Sequence, residues 1–340
     1  MDPLQRRRLG RSRVEVTAMG FGGAPIGGFR FRIHPDEARG CVRTAYDAGL
    51  RYLDTSPFYG YGRSELVMGE VLRHVPRESF VLSTKIGRWM SPLRPGETVP
   101  GLRPHGLPFK PTFDYSRAGV RRSLEQSHMR TGLATFDIVF VHDVDLWTLR
   151  DPELLERHYR QAVEEAIPEL CDLRAAGAIG AVGVGLNEVG TALRFARDSD
   201  IDAILLASRY TLLEQGALDE LLPLCERKGI GVVIGGPYNT GILVTGPVPG
   251  AKWDYDTAPA WALEKAGRLE AVCARHDVPL PAVALQFPLA HPAVASVIPG
   301  ATSREEVLQG VAWMRRPIPA ALWQELRAEG LIDPRAPLPG

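Results

Sequence analysis

The chain has 340 residues, 45% hydrophobic and 24% charged, as in a soluble globular protein large enough for a substantial core. Its 40 Lys+Arg and 40 Asp+Glu cancel, so the overall charge suggests neither a nucleic-acid nor an anionic-membrane partner. No apolar run of the secretory type follows the charges at the N-terminus, and no stretch approaches about eighteen uninterrupted apolar residues. Cys41, Cys171, Cys225 and Cys273 lie far apart with no CxxC. A cytoplasmic protein with reduced thiols is the expectation.

Strand-like and helix-like segments alternate along the chain. Val14 to Met19 reads as a first strand, followed by the glycine-rich stretch Gly20 to Gly28. Pro35 to Ala48 reads as a helix stopped by Gly49, Tyr52 to Asp54 as a short strand, and Ser64 to Leu72 as a helix capped by Ser64. The strand Phe80 to Thr84 precedes the helix Ser116 to Arg130; the strand Phe136 to Val141 precedes the helix Tyr159 to Ala176. Further pairs are Gly180–Leu186 with Glu188–Asp198, and Ala203–Ala207 with Ala217–Lys228. Gly231–Gly235 is followed by helices at Trp261–His276 and Pro281–Leu289, and Val294–Ile298 by Ser303–Met314. Eight such pairs with no break in composition predict a single α/β domain over residues 1–340, a (β/α)8 TIM barrel. A doubly wound sheet is the alternative. It is disfavoured because no GxGxxG opens a helix, and Gly20-Phe-Gly22 runs on to Pro25.

Two stretches interrupt the alternation. Arg88 to Asp114 carries Pro92, Pro95, Pro100, Pro104, Pro108 and Pro111, and Thr245 to Pro259 carries Pro247, Pro249 and Pro259. Both would hang from the carboxyl ends of strands, where long loops commonly form binding walls or lids. Trp89, Trp253 and Tyr255 supply apolar area for that role.

The chemistry concentrates at strand ends. Asp54 and Tyr59 lie in Leu53-Asp-Thr-Ser-Pro-Phe-Tyr-Gly60, Lys85 ends Phe80-Val-Leu-Ser-Thr-Lys85, and His142 ends Phe136-Asp-Ile-Val-Phe-Val-His142. Barrel enzymes place catalytic groups at the carboxyl ends of their strands. A phenol titrates near pH 10 and is a poor proton donor or acceptor at neutrality. A neighbouring ammonium favours the phenolate, so Lys85, held charged by Asp54, is expected to lower the pKa of Tyr59. Tyr59 would then exchange a proton with a carbonyl or hydroxyl oxygen that His142 orients. Taken singly, each residue has a plainer reading: a loop cap, a packed ring, a solvated amine, a salt-bridged imidazole. His142-Asp-Val-Asp145 could also hold a divalent ion, although no further His or carboxylate cluster supports one. All four landing on strand ends is harder to attribute to chance.

In this order and context, Asp54, Tyr59, Lys85 and His142 resemble the catalytic tetrad of the aldo-keto reductases. The resemblance extends through an opening β-hairpin, Gly183-Val-Gly-Leu-Asn187, and Val297-Ile-Pro-Gly-Ala301 onward to Ser303. Tyr59-Gly-Tyr-Gly-Arg-Ser-Glu65 and Val141-His-Asp-Val-Asp145 are similar to a branch of dehydrogenases acting on D-threo-aldoses and L-fucose, which also resembles a pyridoxal dehydrogenase. The resemblance implies an extended NAD or NADP molecule across the barrel mouth and a small sugar or aldehyde as substrate. In the oxidative direction Tyr59 would take the proton of an anomeric hydroxyl while hydride leaves C1, giving a lactone. The implied cofactor contacts are Gly23, Asn187 at the carboxamide, Gly235, Gly236, Tyr238 and Thr240 along the pyrophosphate loop, and Gly300, Thr302, Arg304 and Glu306 around the adenosine phosphate.

Some positions depart from the family pattern. Gly235 stands where a tyrosine often stacks on the nicotinamide, with Tyr238 displaced from it, and Ala207 stands where a glutamine often binds the carboxamide. Gly300 and Glu306 stand where NADP-preferring members often carry a lysine and an arginine, which favours NAD. Arg304, close by, keeps NADP open. Trp89, Trp147 and Trp253 are candidate walls for a sugar face. The leading expectation is an NAD(P)-dependent aldose 1-dehydrogenase. A pyridoxal dehydrogenase or a broad NADPH-dependent carbonyl reductase comes next, and a non-catalytic nucleotide-binding redox sensor is the outlying reading.

Overall fold

The computed structural model describes residues 1–28, 32–97 and 106–340. Eight parallel strands form one sheet: β1 (Phe21–Gly22), β2 (Tyr52–Asp54), β3 (Val81–Ile86), β4 (Ile138–His142), β5 (Ala181–Leu186), β6 (Ala203–Ala207), β7 (Gly231–Gly235) and β8 (Val294–Ile298). Neighbours in the sheet are neighbours in sequence, and the parallel bridges Met19 to Val297 and Gly22 to Gly300 close it into a barrel. Helices cover the outside.

The alternation of side chains along a strand sorts the core into two layers. Leu53, Leu82, Val139, Val141, Val182, Val184, Ile204 and Ile234 point outward into the large core beneath the helices. Tyr52, Ile138, Phe140, Ala181, Ala203, Leu205 and Val233 point inward and fill the barrel, joined by Leu9 and Val16. Those last two come from an antiparallel N-terminal hairpin, Arg6–Arg8 with Glu15–Thr17.

The expected first strand, Val14 to Met19, is therefore corrected. Its centre belongs to the hairpin, and the barrel strand is the two-residue Phe21–Gly22. That strand hides in a glycine-rich stretch of low β-propensity, and it exists because β8 and β2 flank it. Ser64 is not a helix cap either. The helix Arg63–Leu72 has Gly62 at its N-cap, and Ser64 Oγ instead donates to Gly23 O at 2.8 Å and bonds Thr55 Oγ1 at 2.8 Å. The expected helix Tyr159 to Ala176 begins earlier, at Pro152, where Asp151 accepts from Glu153 N and Leu154 N. It carries a π-helical turn at Ala162–Ala166, in which Ile167 N reaches back to Ala162 O, ahead of Pro168, which has no N–H to donate.

Both insertions fold into hairpins. Arg88–Pro92 pairs with Phe109–Phe113, and Lys252–Trp253 with Asp256–Thr257. Pro100 and Pro104 lie outside the described residues. Among the described residues no helix is long and apolar enough to cross a membrane. Cys41, Cys225 and Cys273 are buried thiols whose pKa is pushed up to about 12 by burial.

Helix Arg63–Leu72 meets helix Arg117–Thr131 at Gly69, where an added Cβ would lie 2.6 Å from the Thr131 carbonyl carbon and would also strike its oxygen. Gly69→Ala is expected to cost about 1–3 kcal/mol through overpacking. Chemical unfolding followed by circular dichroism checks this: an unmoved midpoint would contradict the close approach.

Candidate active site

Asp54, Lys85 and His142 share the inward parity of β2, β3 and β4, at or next to the carboxyl ends of those strands. Three side chains far apart in sequence thus converge at the barrel mouth. Lys85 and Asp54 are each 1% exposed. Lys85 Nζ donates to Asp54 Oδ2 at 2.7 Å, to Oδ1 at 2.8 Å and to Thr55 O at 2.8 Å. These three acceptors match the three donors of an ammonium. Beneath the pair, Ser83 Oγ donates to Asp54 Oδ1 at 2.6 Å, and Tyr52 OH bonds Ser83 Oγ at 3.2 Å. Burial pushes the Asp54 carboxyl up and the Lys85 ammonium down, while their mutual attraction opposes both shifts. With the contact this short and every donor placed, we assign the ion pair. Deleting either partner would strand the other charge, at a cost of about 3–5 kcal/mol.

Tyr59 sits on the turn after β2. Gly60, at φ 65°, packs so closely on Gly27 that a Cβ would strike the Gly27 carbonyl oxygen. Tyr61 and Gly62 continue the turn with positive φ. This backbone holds the Tyr59 ring with Lys85 Nζ 4.7 Å from its centroid and the His142 ring 6.0 Å away, edge-on. Burial raises the phenol pKa well above its ordinary value, and the carboxylates of Asp54 and Asp143 and the Tyr255 phenol add to the shift. The expected lowering by Lys85 is thus reversed. Asp54 at 2.7 Å neutralises the ammonium, so its field no longer outweighs desolvation.

His142 is 7% exposed. Its Nδ1 contacts Arg88 Nη1 at 3.2 Å and Ser56 Oγ at 3.3 Å; its Nε2 lies 3.3 Å from Asp143 Oδ1. Burial, then Arg88 and then Lys85, hold its pKa well below the ordinary imidazole value, so the ring is neutral at pH 7. The sequence reasoning missed Arg88. The guanidinium is 3% exposed, lies over the rings of Phe58 at 4.2 Å and Phe113 at 4.4 Å, and pairs with Asp143 Oδ2 at 2.9 Å. The only signal was a charged residue three positions after Lys85, in a stretch dominated by its prolines.

Asp143 and Asp145 serve Asn187. Asn187 Nδ2 donates to Asp143 Oδ1 at 3.0 Å and Asp145 Oδ2 at 3.1 Å, and Asn187 N donates to Asp145 Oδ2 at 2.6 Å. The amide is therefore held with Nδ2 toward the carboxylates and Oδ1 away from them. Among the described residues no group of three or more His, Cys, Asp or Glu is arranged to hold a metal ion.

The remaining expected cofactor positions divide between the mouth and the frame. Gly23 has both backbone polar groups engaged by the protein, with N donating to Asp54 O at 2.8 Å and O accepting from Ser64 Oγ. Ala207 and Gly235 are register partners across β6 and β7, which leaves no bulky side chain there. Gly236, at φ 55°, is exposed beside Ser208. Tyr238 turns into the outer core, edge-on to Trp313 at 6.2 Å. Thr240 Oγ1 accepts from Tyr255 N at 3.1 Å and so supports the second hairpin. The tip of that hairpin is tied across the mouth by Asp254, which accepts from Arg209 Nη2 at 2.8 Å and Trp147 Nε1 at 2.9 Å. The Trp147 and Tyr255 rings lie 5.7 Å apart, tilted by 52°. Trp253 instead bonds Glu214 through Nε1 and packs on Trp261, and Trp89 is covered by Arg122. Gly300 pairs with Gly22 under Pro25. Thr302 donates through both N and Oγ1 to Glu306 Oε2, at 2.7 and 3.0 Å. Arg304 N donates to Glu37 Oε1 at 2.9 Å, a second acidic partner absent from the sequence expectations.

Comparison with known proteins gives a consistent result. Residues 18–329 match the Aldo/keto reductase family. The chain is 40% identical to pyridoxal 4-dehydrogenase of Microbacterium luteolum, over 97% of this chain and 98% of the relative. It is 37% identical to D-threo-aldose 1-dehydrogenase of a Pseudomonas species, over 94% and 95% of the two chains. The holo form of an aldo-keto reductase from Bacillus halodurans superposes with a TM-score of 0.75 at 25% identity, covering 97% of each chain.

The raised phenol pKa has a directional consequence. Giving a proton to a carbonyl requires the neutral phenol, so carbonyl reduction is expected to hold its rate up to about pH 10. Accepting a proton requires the phenolate, so alcohol oxidation is expected to climb steadily through the alkaline range. Steady-state profiles in both directions check this; an oxidation rate already flat from pH 7 upward would mean that Tyr59 ionises below its ordinary value.

Proposed function

The chain belongs to the aldo/keto reductase family, and within it we propose that this protein is an NAD-dependent dehydrogenase that oxidises a cyclic hemiacetal to its lactone. An aldose of the L-fucose or D-threo type, oxidised at C1, is the leading substrate class. The observation that carries this reading is a buried phenol and a neutral imidazole poised together over a fully buried Lys85–Asp54 pair.

The residues at the mouth fit a nicotinamide nucleotide. A Cβ on Gly235 would lie 3.1 Å from Leu205 Cδ2, and one on Gly236 would lie 2.5 Å from Ser208 Oγ, so the floor there is backbone and small side chains. Asn187, with Oδ1 free of the carboxylates, would accept from a carboxamide; Gly235 to Thr240 and Thr302 to Glu306 would hold the remainder. When bound, the cofactor supplies the hydride acceptor. The protein supplies the rest. His142 donates from Nε2 to the anomeric oxygen and orients it. In the fraction ionised at alkaline pH, the Tyr59 phenolate accepts the hydroxyl proton as the O–H and C1–H bonds break, the C1=O bond forms and hydride leaves C1 for the bound acceptor. The Lys85–Asp54 pair lies against the Tyr59 ring as a fixed dipole that needs no solvent reorganisation.

A second reading shares this chemistry and is favoured by the 40% relative. Pyridoxal closes its aldehyde onto the neighbouring hydroxymethyl group and so presents a cyclic hemiacetal of its own. The Trp147 and Tyr255 rings offer a stacking surface to either substrate. NADH formation at alkaline pH with L-fucose, D-arabinose, L-galactose and pyridoxal separates the two. Turnover of a sugar supports the leading reading, turnover of pyridoxal alone moves the function to the second, and NADPH-driven reduction of simple aldehydes alone refutes both. Tyr59→Phe is expected to lose roughly 10²–10⁴-fold in kcat on the substrate that responds.

NAD is favoured by two carboxylates at the start of helix Arg304–Arg315. Glu306 and Glu37 accept from Thr302 and Arg304, backbone N–H groups that would otherwise attract a 2′-phosphate, and they repel its charge. The Arg304 guanidinium is folded against Gly40, so tightly that a Cβ there would strike it. Glu37→Gln combined with Glu306→Gln is expected to shift the kcat/KM ratio toward NADP by roughly tenfold, about 1.4 kcal/mol. An unchanged ratio would rule out electrostatic exclusion at this helix.

A further inference from the structure

We propose that Arg88 is a positioning residue that locks His142 in one neutral tautomer, with its proton on Nε2 and directed toward the substrate. The inference rests on the dehydrogenase reading for its kinetic consequence, but its structural part stands without it. A guanidinium carries donors and no acceptor. Arg88 Nη1 lies 3.2 Å from His142 Nδ1, so Nδ1 must present its lone pair and the ring proton must sit on Nε2. Nε2 lies 3.3 Å from Asp143 Oδ1 without forming a hydrogen bond to it, so its proton is left for a substrate oxygen. Ser56 Oγ, at 3.3 Å from Nδ1, is free to donate to the same lone pair because its oxygen already accepts from Phe58 N.

Arg88 acts a second time through Asp143. Its Nη2 holds Asp143 Oδ2 at 2.9 Å, while Asn187 Nδ2 holds Oδ1 at 3.0 Å. One guanidinium therefore links the imidazole of the proton-transfer site to the amide assigned to the cofactor. Every charged group near the ring disfavours an imidazolium or is already engaged. Lys85 and Arg88 repel a proton, Asp54 is paired with Lys85, Asp143 with Arg88, and Asp145 bonds Asn187. Tyr59, edge-on to the ring, is neutral, and Tyr115 OH donates to the His142 carbonyl oxygen at 2.7 Å, away from the ring nitrogens.

The placement of the guanidinium is costly. Arg88 Nε is buried without a partner, and two aromatic faces, Phe58 and Phe113, clamp the planar group from the β2 turn and from the second strand of its own hairpin. Such a clamp fixes the direction of the Nη donors. In the proposed reaction His142 keeps its proton throughout and serves only as a donor to the reacting oxygen, while Tyr59 carries the transferred proton. A ring protonated at Nδ1 would expel Arg88 and break the link to Asn187.

The test begins on the unmodified protein. Nitrogen-15 NMR of labelled histidine, with the His142 signal assigned by its loss in His142→Gln, is expected to show an unprotonated Nδ1 and a protonated Nε2 from pH 5 to pH 8, with no substrate present. A proton on Nδ1, or titration of the ring near its ordinary pKa of about 6.5, would overturn the proposal whatever the substrate proves to be. In Arg88→Met, kcat is expected to fall roughly 10²-fold, as when one fixed donor is lost, and NADH is expected to bind more weakly as the hold on Asn187 through Asp143 loosens. A new acidic limb is expected in its pH–rate profile below pH 6.5, because the imidazole loses the repulsion of Arg88 while burial and Lys85 still hold its pKa down. Arg88→Lys, which returns a cation to the clamp, is expected to abolish that limb and recover part of kcat. An Arg88→Met profile lacking the limb would overturn the positioning role. Failure of all sugars and pyridoxal as substrates would refute the functional reading and leave the tautomer measurement intact.

Discussion

Two opposite charges enclosed together at the top of a barrel are the constraint on which this molecule depends. Lys85 and Asp54 point inward because strand periodicity leaves them no other direction, and the barrel interior leaves them almost no water. An isolated ammonium or carboxylate there would be costly; paired at 2.7 Å, with Thr55 O and Ser83 Oγ completing the coordination, they are tolerated. The same pairing changes the chemistry above them. A lone ammonium would stabilise a phenolate, whereas a neutralised one leaves burial to keep Tyr59 protonated. The site is thus preset as a neutral acid beside a neutral imidazole, with its charges held one layer down.

The β3 insertion completes what the barrel begins. The three strand ends alone would leave His142 free to choose its tautomer. The hairpin Arg88–Pro92 with Phe109–Phe113 lowers a guanidinium onto it, and the aromatic faces of Phe58 and Phe113 keep that guanidinium planar to its targets. The second hairpin works at longer range. Asp254 bonds residues that follow β4 and β6, and Thr240 holds the backbone of Tyr255, so the tip is fixed across the mouth by polar contacts to separate loops. Loops held in place by a rigid scaffold in this way are where binding residues commonly lie.

Legibility in the sequence followed the physics of each element. Strand β8 was found at its true bounds because Val294-Ala-Ser-Val-Ile298 is apolar at every position but Ser296 and lies between turn signals. Strand β1 was missed because two residues in a glycine-rich stretch carry no pattern; its partners make it a strand. The family resemblance brought together Asp54, Tyr59, Lys85 and His142; strand parity explains why Asp54, Lys85 and His142 meet, and the turn after β2 brings Tyr59 to them. The protonation state of Tyr59 was read with the wrong sign, since it depends on whether Lys85 is already paired and on how much water reaches the ring.

The sequence by itself determined the order of elements, the barrel and the residue types at its strand ends, because these follow from local periodicity and motif. Only the tertiary structure decided the electrostatics and the partners. The contact of Arg88 with His142 spans 54 positions, and that of Glu37 with Arg304 spans 267. No local pattern encodes such distances. They are set when the barrel closes and brings helix Pro35–Asp47 against helix Arg304–Arg315, and the exclusion of water that follows fixes which groups are charged.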